Sequence, residues 1–321
     1  MDRLLLTLTI IFVSLLAGYG IRQWVSSGRA PLSETALLRL RLIIQKAAMF
    51  GLIPVSAMLS LWGLPSPDPR LLSLPVLGLA AWTAGGAFAL FFARLMRLSP
   101  AKTGSLYCCG TFTNIGAVGT LVAVMYFGEQ AIAIASLYRL CEEMFYFSVA
   151  LPVARRFGEK PREGSARRFR LDPVLAAIVA ALALGLALNL AGVSRPAAFG
   201  FLSSAAMLAG TVCFLLSIGM GLRLSRMACH AKESAAVSLI KFVLVPVLIT
   251  SLAMLAGLGG VEDGMPLKVV AILSAMPVAM NALIPPSLFD LDLDLANACW
   301  VFTTLELVVV LPIIILILPL L

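Results

Sequence analysis

The sequence predicts an all-α polytopic membrane protein of about ten transmembrane helices, arranged as two inverted repeats of five with crossed, discontinuous helices four and nine. Three observations lead there. Hydrophobic residues make up 61% of the 321 residues, charged residues only 12%, and the mean hydropathy is +1.02, whereas a soluble domain carries about 25% charged residues. The apolar residues fall into runs near the roughly 20 residues that cross a bilayer, separated by short polar turns that leave no room for a soluble catalytic domain. Two of these runs, one in each half, are interrupted mid-span: Thr111-Phe-Thr-Asn114-Ile-Gly116-Ala-Val-Gly119-Thr120 and Met276-Pro277-Val-Ala-Met-Asn281-Ala-Leu-Ile-Pro285-Pro286. Such interruptions free backbone groups that lipid cannot satisfy, so they persist where protein buries them or where they line a watery cavity.

In order, the helices are expected near 4–24, 37–63, 71–96, 105–126, 129–153, 171–193, 198–222, 236–257, 267–288 and 294–319. The first is read as a span rather than a signal peptide. It opens on Asp2 and Arg3 instead of a basic cluster, lacks an A-x-A site, and stays apolar through Ile21. Breakers separate the rest: Pro31, the Pro65-Ser-Pro67-Asp-Pro69 turn, Pro100, Gly128, the charged stretch after Pro152, Arg195-Pro196, the 223–234 loop and Gly259-Gly260.

Residues 1–153 form the first set of five, 154–170 a basic loop, and 171–321 the second set. An odd number per half reverses the orientation of the second, which is why an inverted repeat is expected. Scaffold and transport domains would each draw on both repeats.

Lys and Arg set the orientation. One side of the membrane collects Arg22, Arg29, Arg39 and Arg41, then Arg94, Arg97 and Lys102, then seven basic residues within 155–170, then Arg223, Arg226 and Lys232; the other keeps Arg3, Arg70, Arg195 and Lys268. The first side is expected to be cytoplasmic, with both termini outside a cell (inner) membrane. This asymmetry accounts for the net charge of +8 without nucleic acid, and the 154–170 loop reads as topogenic and lipid-facing.

Asn114 and Asn281 carry donors and an acceptor into mid-span, where an unsatisfied polar group is costly. Either they contact substrate and cap freed helix ends, or they are helix–helix packing residues; the breakers around them favour the site. Thr111, Thr113, Gly116, Gly119 and Thr120 surround Asn114. A half-helix end there would present N–H groups and a positive dipole to a carboxylate. Pro277 removes a donor and clashes with the preceding turn, so helix nine is expected to break near 273–277.

Ionisable residues inside spans are functional candidates. Glu142 and Glu143 follow Arg139 at helical spacing, so one carboxylate is either a spare proton carrier or both belong to an internal ion pair. Lys46 sits well inside helix two and is a candidate for attracting an anion, whereas Lys241 is expected to snorkel from the end of helix eight. Glu306 either pairs across helices or takes a proton. Asp290, Asp292 and Asp294 read as a solvated turn, and His230 as solvated in a polar loop.

Six cysteines without ligand spacing and a single histidine leave little material for a metal site or a catalytic triad. The cysteines read as packing residues. No cofactor is expected, and no Walker motif suggests ATP-driven movement.

Several motifs together resemble the auxin efflux carrier family, which is similar in fold to bile acid sodium symporters. They are Leu16-Ala-Gly18-Tyr-Gly20 leading to Leu32-Ser-Glu34; Asn114-Ile-Gly116-Ala-Val-Gly119 followed by Tyr126-Phe-Gly128; Ile218-Gly219-Met-Gly221-Leu222; Lys241-Phe-Val-Leu-Val-Pro246; and Ala275-Met-Pro277-Val-Ala-Met-Asn281-Ala. The resemblance implies unwound helices four and nine that cross, an organic-anion site beside the crossing formed by Thr113, Asn114, Gly116, Pro277 and Asn281, and elevator-type alternating access. Many members carry Pro where this chain has Leu121, so Gly116 and Gly119 are expected to do the unwinding here.

The expected function is secondary transport of small mono- or dicarboxylates, with membrane lipid as the other partner and a homodimer left open. The alternative is a ligand receptor or regulatory subunit that moves nothing. An enzyme is not expected, because Glu142 and Glu143 lack a nearby nucleophile or metal set. With Glu142, Glu143 and Glu306 able to titrate and no sodium site evident, proton linkage or potential-driven movement is expected ahead of sodium.

Overall fold

The computed structural model describes residues 2–27, 33–64, 68–158, 173–221 and 227–321. Most of the 154–170 loop, together with Arg29, Pro31, Arg223 and Arg226, lies outside these. Among the described residues the chain is helical without strands. The helices are α1 (Asp2–Ser26), α2 (Glu34–Ala47), α3 (Ile53–Trp62), α4 (Leu74–Leu95), α5 (Pro100–Thr111), α6 (Thr120–Phe127), α7 (Gln130–Tyr138), α8 (Glu142–Phe145), α9 (Leu151–Arg155), α10 (Pro173–Leu190), α11 (Ala198–Gly219), α12 (Ala231–Leu239), α13 (Val245–Leu255), α14 (Met265–Ser274), α15 (Ile284–Leu288) and α16 (Leu293–Ile317).

Among the described residues, five helical runs are long and apolar enough to cross a membrane: Arg3–Ser26, Pro69–Leu95, Ala198–Gly219, Ala231–Leu255 and Leu293–Leu320. Ile53–Trp62, Ile115–Phe127 and Val179–Leu190 are shorter apolar helices. Helix starts follow local chemistry. Ser33 accepts from the Ala36 amide to cap α2, and Asp292 accepts from Leu295 to cap α16, each satisfying an amide that the first turn leaves without a partner.

π turns occupy Ala48–Leu52, Ile115–Gly119, Tyr146–Ala150 and Ile240–Leu244. Three of the four end two residues before a proline: Pro54, Pro152 and Pro246. A proline in a helix lacks an N–H and clashes with the carbonyl four residues back. The wider turn moves that carbonyl out of the way. The fourth π turn ends two residues before Leu121, so this register exists there without the proline.

Contacts divide the chain into two compact units, one of residues 1–67, 116–136 and 171–223, the other of residues 68–115, 137–170 and 224–321. In the first unit α1 meets α11 at Gly18 and Gly219. A Cβ on Gly18 would lie 2.2 Å from the Leu216 carbonyl oxygen, and one on Gly219 would lie 2.2 Å from that of Leu15, so backbone packs on backbone, as small residues permit in membranes. α3 and α11 are joined reciprocally, the Ser56 hydroxyl donating to the Ser203 carbonyl at 2.8 Å and the Ser203 hydroxyl to that of Ser56 at 2.9 Å. Glu129 pairs with Arg195, whose other nitrogen lies 3.0 Å from the carboxylate, and Arg195 also donates to the Leu59 carbonyl at 2.8 Å.

In the second unit α4 and α5 meet at Gly85 and Gly110, where a Cβ on Gly85 would sit 2.2 Å from the Gly110 carbonyl oxygen. α12 and α16 are joined by Ser238, which donates to Glu306. Lys102 pairs with Glu233 at 3.1 Å. His230, expected to be solvated, is 8% exposed, and its Nδ1 has no hydrogen-bond partner. The turn Met227–His230 leads straight into α12 instead of looping into water.

Candidate functional site

Both interrupted stretches break, and within the second unit their extended residues pair with each other. α5 ends at Thr111, and Phe112 is extended (φ −88°, ψ 126°). α14 ends at Ser274, and the chain runs through Ala275–Ala279 before a short 3-10 turn, Met280–Leu283. Thr113 and Val278 form an isolated antiparallel bridge. The Asn114 amide donates to the Pro277 carbonyl at 2.8 Å, and the Ala279 amide donates to that of Phe112 at 3.1 Å.

Backbone accounting explains the arrangement. In unbroken helices Asn114 would give its N–H to Gly110, Val278 to Ser274, and Ala279 to Ala275. Here Asn114 and Ala279 are satisfied across the bridge, and Val278 donates to the Thr303 hydroxyl at 3.2 Å. Thr303 Oγ1 in turn donates to the Cys299 carbonyl at 2.8 Å. The residues involved are buried: Val278 and Thr303 are 0% exposed, Thr113 4% and Asn114 5%. With no water at hand, an orphaned amide would cost about 1–3 kcal/mol.

The carbonyl left by Asn114 is taken by a side chain. Lys241 Nζ lies 2.8 Å from the Gly110 carbonyl oxygen and 2.8 Å from Thr113 Oγ1. Lys241 is fully buried in the π turn Ile240–Leu244, so the expectation that it snorkels to an aqueous end is corrected. The helical run that carries it begins ten residues earlier, at Ala231, so Lys241 lies nearly three turns in, too far for its stem to reach water.

A second group flanks the broken ends. The Asn281 amide donates to Glu142 Oε1 at 3.4 Å, and Arg139 Nε donates to Glu142 Oε2 at 2.9 Å. Helix five turns irregularly at 139–141, between α7 and α8, and that turn sets both residues on one side. Glu142 is buried, while Arg139, Glu143 and Asn281 are half-buried. The Tyr146 and Phe112 ring centroids lie 5.0 Å apart, with the rings tilted by 52°.

Of the other candidates, Glu306 lies on α16 with the Ser238 hydroxyl, one turn beyond Thr303. Gly116 and Gly119 sit inside the π turn Ile115–Gly119, so the chain opens upstream of them, at Phe112–Asn114, and the glycines do not do the unwinding. Lys46 is exposed on α2 in the first unit. Sequence reasoning passed over Thr303, Phe112, Val278 and the crossing role of Lys241. A lysine amid Leu239-Ile-Lys241-Phe-Val-Leu, five residues before Pro246, was the available signal. Among the described residues no three His, Cys, Asp or Glu side chains are arranged to hold a metal.

Residues 163–315 match a family described as membrane transport protein. The matched stretch contains Lys241, Pro277, Asn281 and Thr303. An uncharacterized transporter of Methanothermobacter thermautotrophicus is 25% identical over 245 residues, covering 75% of this chain and 77% of that protein. An uncharacterized transporter of Methanocaldococcus jannaschii is 26% identical over 245 residues, covering 74% and 77%. These matches are to proteins described as transporters, and the apolar helices of this chain accord with a membrane protein.

Proposed function

We propose that the chain is a secondary transporter of small organic anions such as mono- or dicarboxylates, akin to the auxin efflux carrier family, with the crossing of 112–114 and 277–279 as its binding site. The observation that carries the reading is Lys241: a basic side chain buried directly against the crossing, in no ion pair among the described residues. A buried amine without a carboxylate partner gains most when an anion lies beside it, because the anion offsets the cost of carrying charge there. Asn114 and Asn281 supply amide donors at the two broken ends, suited to carboxylate oxygens.

In this reading the second unit, which holds the entire paired crossing, is the moving domain of an elevator, and the first unit is the scaffold. The chain would cross a cell (inner) membrane about ten times as two inverted repeats, with both termini outside and 154–170 cytoplasmic. Glu142, Glu143 and Glu306 are the candidates for proton linkage.

The test is uptake of a panel of labelled mono- and dicarboxylates into proteoliposomes, with and without an imposed potential. At least one acid is expected to exchange, and Asn114→Ala or Asn281→Ala should cut its uptake by at least about tenfold, the loss of a contact worth about 1.4 kcal/mol. No movement of any acid, with binding retained, would make the protein a receptor. Unchanged transport by both variants would remove the crossing as the site.

A further inference from the structure

Gly110 is held from two sides. Behind it stands Gly85, close enough that neither residue has room for a Cβ. Before it stands Lys241, whose nitrogen meets the Gly110 carbonyl at the end of α5 and the Thr113 hydroxyl one residue into the extended segment. The amine thus spans the point at which the helix opens. It replaces the Asn114 amide, which has left Gly110 for Pro277. Both partners are neutral oxygens, one of them at the negative end of a helix dipole. A neutral carbonyl and a hydroxyl at an unwound helix end are the kind of ligands that hold a small monovalent cation in discontinuous transporter helices.

We propose that the Lys241 ammonium is a built-in cation of the crossing, filling the place of a free inorganic cation, and that removing it leaves a site that takes a small monovalent cation from solution. Two consequences follow. The intact protein needs no sodium to hold its broken ends, so its stability is the same in sodium and choline salts. A Lys241→Ala protein acquires a dependence that the intact protein lacks. The proposal does not rest on the transport reading, because melting is read without substrate.

The experiment is thermal melting of purified protein in detergent at constant ionic strength. Lys241→Ala removes three methylene-level carbons and the nitrogen, which n-propylammonium supplies atom for atom. The variant is expected to melt below the intact protein, and n-propylammonium chloride should restore at least half of the lost temperature. Sodium chloride should restore a smaller part, and choline chloride and neutral n-propanol none. Lys241→Met, which fills the space without charge, should stay low in every salt.

The proposal is overturned if Lys241→Met melts with the intact protein, if sodium restores no more of the Lys241→Ala loss than choline, or if n-propanol or choline rescues Lys241→Ala as well as n-propylammonium does. Both variants are also extracted in parallel with and without n-propylammonium. Recovery of Lys241→Ala only in its presence supports the proposal, and equal loss in both overturns it.

Discussion

Glu142 joins Asn281 to Arg139, taking the amide on one carboxylate oxygen at 3.4 Å and the guanidinium on the other at 2.9 Å. The first residue of this trio to be disturbed would therefore misplace the others. Replacing Glu142 by Gln keeps an acceptor for Asn281 but leaves Arg139 without its charge partner. Breaking a buried pair in this way costs on the order of 3 kcal/mol. Glu142→Gln is expected to lower both the melting temperature and carboxylate uptake, and Arg139→Gln/Glu142→Gln to recover most of the melting loss. Equal melting of Glu142→Gln and the intact protein would show that the pair holds nothing.

Thr303 reaches the crossing from α16 through one hydroxyl. Thr303→Val is nearly isosteric yet leaves the Val278 amide unpaired, at a cost of about 1–3 kcal/mol. Thr303→Ser keeps the oxygen and should restore both stability and uptake. Denaturation curves of the pair check this, and a Val variant as stable as the Ser variant would contradict the assigned bond.

Leu121 stands in the register that Pro54, Pro152 and Pro246 occupy after their π turns. Leu121→Pro should therefore cost no more than Leu121→Ala, because both lose the same buried packing, about 2–5 kcal/mol for a leucine, and the other three π turns accommodate a residue without an N–H in this register. A proline in an ordinary helix interior adds about 3 kcal/mol. Melting of the two variants side by side decides it.

Gly18 and Gly20 stand two residues apart, about 200° around α1, and so face opposite sides of the helix. A Cβ on Gly18 meets the Leu216 carbonyl at 2.2 Å, whereas one on Gly20 meets nothing within 4 Å. Gly18→Ala is expected to destabilise by about 1–3 kcal/mol through overpacking. Gly20→Ala should be neutral or stabilising by up to about 1 kcal/mol from helix propensity. Comparable melting losses in both would place the α1–α11 contact elsewhere.

How much of this was legible beforehand depends on how local the cause is. Pro277 announces its break chemically, and α14 does stop at Ser274. The break before Asn114 was visible as a polar run, but glycines inside a π turn are as helical as their neighbours, so the opening point could not be read from them. Lys241 was misread because its role comes from Gly110 and Thr113, more than 120 residues away, and a single chain carries no mark of that pairing. Glu129 and Arg195 hid for the same reason, each resembling a loop charge until the fold brought them together.

Each π turn holds one residue more than an α turn would, so the helix before it and the helix after it are written in different phases. A π turn spreads about five residues over the rotation that about four complete in an α turn, so deleting a residue within Ile240–Leu244 would close the bulge and leave Val245–Leu255 facing nearly as before. Side chains on α13 would keep their neighbours. The four turns thus act as one-residue insertions absorbed within helices, and in alignments with relatives, gaps of one residue at these places mark the loss of a bulge rather than a change of loop length.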